Sequence, residues 1–286
     1  MNYYFITTEH LENRIWFRDD EDYKAGMNKV ALVAGRMDIR VLSFILMSNH
    51  VHFLIEASDK SMAESFITEF KNQYARYVRN KYGTKELLRR NSVAIQPIEN
   101  LDEALERVIA YIQMNCVAAN ICSHPSLYPW GTGSCFFTET KRNGVRVDTL
   151  SKRARKKLLH SRCDLSGNCL LGTDGYILPE SYIQIQQVES FFRSVKRYNY
   201  FLNTSSKAKR RLETGEAPSF KDPVVVAAME DLCHSLFRRE HIWGLSDKEQ
   251  AELLRQLSFR FSSNVEQLSR VSGMGKEKVV KLLDSV

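Results

Sequence analysis

The chain has 286 residues, enough for one or two domains with a real core. Its hydrophobic content of 43% and mean hydropathy of −0.35 exclude a disordered polymer, and no apolar run approaches the length of a membrane span. Lys and Arg outnumber Asp and Glu by 41 to 34, for a formal charge of +7 and a pI near 9.0, a modest excess that suits a nucleic-acid partner and is weak evidence alone. No charged-then-apolar leader opens the chain, so the expected setting is the cytoplasm. The six cysteines form no Cys-x-x-Cys pair and are expected as free thiols.

In chain order, Tyr3–Thr8 alternates like a strand and Asp20–Gly35 reads as an amphipathic helix. Ile39–Met47 and Val51–Glu56 are two strands flanking a tight Ser48-Asn49 turn. Here the chain carries its most informative segment, Asn49-His50-Val51-His52-Phe53-Leu54-Ile55. Residues i and i+2 of a strand share a face, so His50 and His52 project together while Val51, Phe53 and Ile55 point into a core. Two neighbouring imidazoles pack poorly but ligate a divalent metal well. The plain alternative is a pair of surface histidines on a half-exposed strand. Ser61–Tyr82 is a long helix with Ser61 as candidate N-cap, and Ser92–Ile98 is another strand. In the following segment Leu101, Leu105, Val108, Ile112 and Cys116 recur at helical spacing, and Asp102 and Glu103 suit a helix start. Tyr111 and Asn115 are four apart and stack on one face, where a phenol and an amide can look towards the histidines. A half-buried tyrosine on an amphipathic helix is the plainer reading. Strand, helix, strands, helix, strand, helix predicts an α+β sandwich with a mostly antiparallel sheet.

After Trp130 the character changes. Gly131–Gly133 and the basic, polar stretch to about Arg162 read as a linker or DNA-contacting arm. Glu180–Leu202, Pro223–Glu240 and Asp247–Phe261 are amphipathic helices. Leu268, Val271, Val279 and Leu282 then fit two short helices around a turn at Gly273, with Lys276, Lys278 and Lys281 on the second. That is a candidate helix-turn-helix, with a helical hairpin as the alternative. Basic residues gather in three runs, of which the first includes Lys71, Arg76, Arg79, Lys81, Lys85, Arg89 and Arg90. Lys71, Arg76, Arg79, Arg89, Arg90, Lys276, Lys278 and Lys281 are the expected DNA contacts. Tyr74, Tyr77 and Tyr82 interleave with the first run and offer rings for unpaired bases, unless they are core.

These motifs together resemble the single-tyrosine HUH transposases and, within them, the REP-associated tyrosine transposases. That family has a Met-x-Asn-His-Val-His-hydrophobic strand, matched by Met47 to Leu54. It has a helix reading Tyr-Ile-x-x-Asn-Pro-Val-x-Ala, here Tyr111 to Ala119, and a Tyr-Pro-Trp-Ser-Ser-like segment, here Tyr128-Pro129-Trp130-Gly131. Leu87–Val93 resembles the basic stretch between them, and order and spacing agree over roughly the first 135 residues. Cys116 stands for the usual proline and Asn120 for the usual glycine, positions without ligand or nucleophile chemistry.

The resemblance implies a ferredoxin-like HUH sandwich over residues 1–135. A basic linker over 136–162 and a mostly α-helical DNA-binding region over 163–286 are expected to follow. It implies Mg²⁺ or Mn²⁺ held by His50, His52 and Asn115, with Tyr111 attacking phosphorus. The activity implied is metal-dependent cleavage and rejoining of single-stranded or hairpin DNA through a 5′-phosphotyrosine. The expected molecule is a monomer or homodimer at a bacterial nucleoid, with no membrane partner. A domesticated DNA-binding regulator without turnover is the alternative, and the presence of His50, His52, Tyr111 and Asn115 together favours the enzyme.

Overall fold

The period-two alternation at the start of the chain becomes β1 (Asn2–Thr7), and the runs either side of Ser48-Asn49 become β2 (Arg40–Leu46) and β3 (Val51–Ala57). The computed structural model describes residues 1–8, 15–37, 39–83, 93–100, 103–119, 121–139, 142–160, 165, 168–205, 222–261 and 263–284. With β4 (Ala94–Ile98) these strands form one sheet of order β2-β3-β1-β4, antiparallel at every junction. The hairpin of β2 and β3 closes where Met47 N donates to His50 O at 2.9 Å. Phe44 lies opposite Phe53 and Ile45 opposite His52, with a bulge between Val41 and Ser43 that adds one residue to β2.

Helices cover both faces. On one, α1 (Asp20–Ala34) packs beside α2 (Lys60–Tyr82), and Phe53 meets the edges of Phe66 and Phe70. On the other lies α3 (Ala104–Gln113), which continues after Met114 as the single turn α4 (Asn115–Ala118). Every residue of β3 is therefore buried, which removes the half-exposed strand as a reading. The N-cap of α2 is Asp59, not Ser61: its carboxylate accepts from Met62 N at 2.9 Å from an extended backbone, and Ser61 lies inside the helix. Gly83, at φ 65°, ends α2 in the left-handed conformation and donates to Arg79 O.

The two edges of the sheet differ. Beyond β2 runs the Tyr128–Thr132 segment: Leu46 N donates to Trp130 O at 2.8 Å, Thr132 N to Phe44 O at 3.0 Å, and Tyr128 Oη to Leu46 O at 2.7 Å. Trp130 stacks on Tyr23 of α1 at 5.0 Å. On the far side β4 carries Pro97, a residue tolerated in sheets mainly at edges.

The stretch 136–162, expected as a linker, holds β5 (Gly144–Arg146) and α5 (Lys152–Leu159), and β5 pairs with β6 (Leu170–Gly172). Val147 and Leu159 are buried with Ala31 and Leu32 of α1. The helices α6 (Ile185–Phe192) and α7 (Val195–Thr204) extend the main core, which runs from Tyr4 to Leu202. A second core, Val225 to Leu282, is built by α8 (Asp222–Phe237), α9 (Asp247–Phe261), α10 (Val265–Ser272) and α11 (Lys276–Asp284). Gly273 at φ 70° makes the turn between α10 and α11. Among the described residues no helix is long and apolar enough to cross a membrane. Cys116, Cys122, Cys135, Cys169 and Cys233 are in no disulfide, and Cys163 lies outside the described residues.

Gly131 has no room for a side chain, because a Cβ there would lie 2.8 Å from Phe44 O and 3.2 Å from Ile45 Cα. Gly131→Ala should therefore push the edge segment off β2 and cost about 1–3 kcal/mol, the range for an overpacked site. A urea melt whose midpoint matches that of the parent would disprove the tightness of this edge.

Candidate active site

His50 and His52 reach the α3 side of the sheet because Val51, Phe53 and Ile55 fill the other side. Their rings meet edge to face at 5.0 Å, with His50 8% and His52 0% exposed. Phe5 of β1 stacks on His52 at 5.7 Å with only 6° between the planes. Tyr111 comes down from α3 with its ring perpendicular to both, 5.7 Å from His52 and 5.9 Å from Phe5. The structure thus brings three of the predicted site residues ring to ring.

Asn115, one turn beyond Tyr111, is 3% exposed. Its Nδ2 donates to Tyr111 O at 2.9 Å and Ile112 O at 3.2 Å, carbonyls at the break between α3 and α4. Its Oδ1 is the atom left with ligand chemistry. On the other side Asn49 Oδ1 lies 2.9 Å from His50 Nδ1. An amide oxygen only accepts, so in the neutral ring Nδ1 carries the shared proton and Nε2 is the nitrogen with the lone pair. A hydrogen bond that fixes the tautomer in this way is the usual support for a metal-binding imidazole. Two imidazoles and an amide oxygen are a donor set that can serve a divalent cation of borderline hardness completed by water or phosphate oxygens. No group of three or more His, Cys, Asp and Glu side chains with metal-binding geometry occurs among the described residues. Among the described residues, a third protein ligand beside the two imidazoles is therefore an amide, a hydroxyl or a carbonyl.

Gln113, unremarked in the sequence, holds α3 in place. It is 1% exposed, and its Nε2 donates to Ser43 Oγ at 2.8 Å and Thr132 Oγ1 at 2.7 Å, tying the helix to β2 and to the edge segment. Its sign in the sequence was an amide adjoining the apolar stripe of Leu105, Ile109 and Ile112. The Tyr-Pro-Trp segment is structural in the same sense, since Tyr128 and Trp130 bind β2 and α1 rather than the histidines. Burial pushes the Tyr128 phenol well above its ordinary range, and the neighbouring Tyr23 adds to this.

Beside Tyr111 opens a cleft of about 470 Å³ whose lining includes Phe5, Gln96, Arg107 and Phe201. Arg107 stands one turn before Tyr111 and pairs with Glu103 at 3.0 Å. The wall opposite α3 comes from α7, so a segment far along the chain shapes the approach to the tyrosine.

The predicted DNA contacts divide. Arg76 and Arg79 are exposed on α2, and Lys276, Lys278 and Lys281 are exposed on α11. Lys276 pairs with Glu266 at 3.4 Å and Lys278 with Asp247 at 3.7 Å. Lys71 is instead buried, 5% exposed, with its ammonium 5.6 Å over the Trp16 ring, because it falls on the stripe of Ile67, Phe70 and Tyr74. Tyr74 and Tyr77 are core as well, and Tyr82 donates to Asp22 at 2.8 Å. Arg89 and Arg90 lie outside the described residues.

No curated protein matches the chain. A solved structure described as a REP-associated tyrosine transposase bound to a REP hairpin is similar at 17% identity, over 46% of this chain and 76% of that one, with a TM-score of 0.37. The part of the chain that holds His50, His52, Tyr111 and Asn115, residues 1–115, matches the family described as "Transposase IS200 like".

Proposed function

We propose that the protein is a transposase-type enzyme that cuts and rejoins single-stranded or hairpin DNA, with Tyr111 as nucleophile and His50, His52 and Asn115 as holders of Mg²⁺ or Mn²⁺. The observation that carries this reading is the ring-to-ring assembly of His50, His52 and Tyr111 inside the family-matched segment. A bound divalent cation would supply polarisation of a phosphodiester oxygen. The Tyr111 hydroxyl attacks phosphorus, and the bond from phosphorus to the 3′ oxygen breaks. The phenol's proton is lost and the 3′ oxygen gains one, leaving a 5′-phosphotyrosine and a 3′-hydroxyl. A free phenol titrates near ~10, so the nucleophile depends on its surroundings for activation. The covalent link preserves the cleaved bond's energy, so attack by a 3′-hydroxyl reverses the step. The cleft beside Tyr111 suits an unpaired strand, with Arg107 placed for a phosphate.

Tyr111→Phe removes only the hydroxyl. It should abolish the denaturant-resistant adduct with a hairpin oligonucleotide while leaving binding nearly unchanged. An adduct formed by the Phe variant would move the nucleophile elsewhere. A parent protein that binds the hairpin and never forms an adduct would favour a regulator without turnover.

His50→Ala and His52→Ala should each remove cleavage, as should excess chelator on the parent. Asn115→Ala should have a smaller effect, because a neutral amide oxygen is a weaker ligand than imidazole for most transition metals. Full cleavage in chelator would refute the metal role.

We further propose that the helix pair around Gly273 contacts DNA through Lys276, Lys278 and Lys281, which α11 presents to solvent. Replacing all three by alanine should flatten the slope of log affinity against log salt by about one per lysine that touches phosphate. An unchanged slope would assign α11 to something other than DNA.

A further inference from the structure

The second hydrophobic core meets the first at a buried carboxylate. Asp222, 1% exposed, opens α8, and both of its oxygens are engaged. Oδ1 accepts from Gln267 Nε2 at 2.9 Å and from Arg270 Nη2 at 3.1 Å. Oδ2 accepts from Arg270 Nε at 2.9 Å and from the hydroxyl of Ser48. Burial works against the charged carboxyl, but the Arg270 guanidinium beside it and the donors Arg270, Ser48 and Gln267 hold it below its ordinary range. Asp222 is thus an anion at neutral pH in a place without bulk water, where each donor matters. Arg270 grips it as a two-pronged fork, which fixes direction as well as charge.

Three of these donor atoms come from α10 in the second core. The fourth belongs to Ser48, two residues before His50 in the hairpin turn. Ser48 is also held through its carbonyl, which accepts from Trp16 N at 2.7 Å and Phe17 N at 3.0 Å. The turn itself closes with the bond from Met47 N to His50 O, and Asn49, between Ser48 and His50, orients the His50 ring. A shift at Ser48 therefore passes directly to the imidazole.

We propose that Asp222 is a positioning residue for the histidine hairpin: through Ser48, the C-terminal helical unit sets the turn that presents His50. The inference rests on the reading of His50 as a metal ligand. It makes the C-terminal unit a structural part of the site, whatever that unit binds. The carbonyl side of Ser48 anchors the turn to the chain leading into α1, and the hydroxyl side anchors it to Asp222 at the start of α8, which α10 holds in turn. Cutting the second anchor leaves the turn held from one side only.

The test uses full-length, metal-free protein and the ¹⁵N–¹H spectrum of the histidine rings. Ser48→Ala removes the link and leaves the Asp222–Arg270–Gln267 cluster whole, and Asp222→Asn weakens it from the other side. Leu254→Val, in the second core and away from this cluster, is the control for a merely loosened C-terminal unit. Both link variants should displace the His50 ring signals and weaken Mn²⁺ binding about tenfold or more, the usual scale for support of a metal ligand. Leu254→Val should melt earlier with the His50 signals unmoved. His50 signals that superimpose on the parent's in both link variants would overturn the positioning role. A parent that binds no Mn²⁺, while the link variants still move the His50 signals, would instead sink the metal reading and leave the link standing.

Discussion

The pleat of β3 is the constraint on which the site depends. Val51, Phe53 and Ile55 are all fully buried, and Phe53 is wedged between Phe66 and Phe70 of α2. A slip of one residue would turn those side chains to the α3 face and bring His50 and His52 into an apolar layer. Pairing with β1 on one side and β2 on the other fixes the register twice. His52 is therefore carried by an interior strand of the sheet, a more exact support than a loop, and His50 by the last residue of the turn that leads into it.

An exact strand is of use only if the tyrosine helix sits at a set height above it. The apolar stripe of α3 would allow sliding, since dispersion contacts have no direction. Directional bonds remove that freedom: Gln113 reaches Ser43 and Thr132, and Asn115 reaches back to the carbonyls of Tyr111 and Ile112. At the other end of α3, Arg197 of α7 pairs with Glu103 at 2.7 Å and Glu106 at 3.4 Å. Residues well beyond position 115 thus locate the helix that carries the central tyrosine.

How much of this was legible in the sequence depends on the range of each interaction. The β2–β3 hairpin and the course of α2 could be read within a residue or two, because period and turn chemistry are local. The cap of α2 was misassigned by two residues since Asp59 and Ser61 have equivalent capping chemistry and only the backbone decides. Lys71 was read by its charge, although its spacing from Ile67 and Tyr74 already placed it on the buried stripe. β5 and β6 have three residues each, too few for alternation to register. Asp222 and Ser48 are 174 residues apart, and neither carries any local sign of the other.

The closure of the sheet has a consequence for how two copies of this chain can meet. The outer side of β2 is taken by Trp130 and Thr132, whose backbone satisfies Leu46 and Phe44. The open side at β4 is five residues long and has a proline in its fourth position, which leaves it short of one amide donor. An edge of that kind is a poor template for an incoming strand, and short or proline-bearing edges are a common guard against sheet-to-sheet growth. A second copy that approached by strand addition would therefore find few backbone groups to pair with at either edge of this sheet.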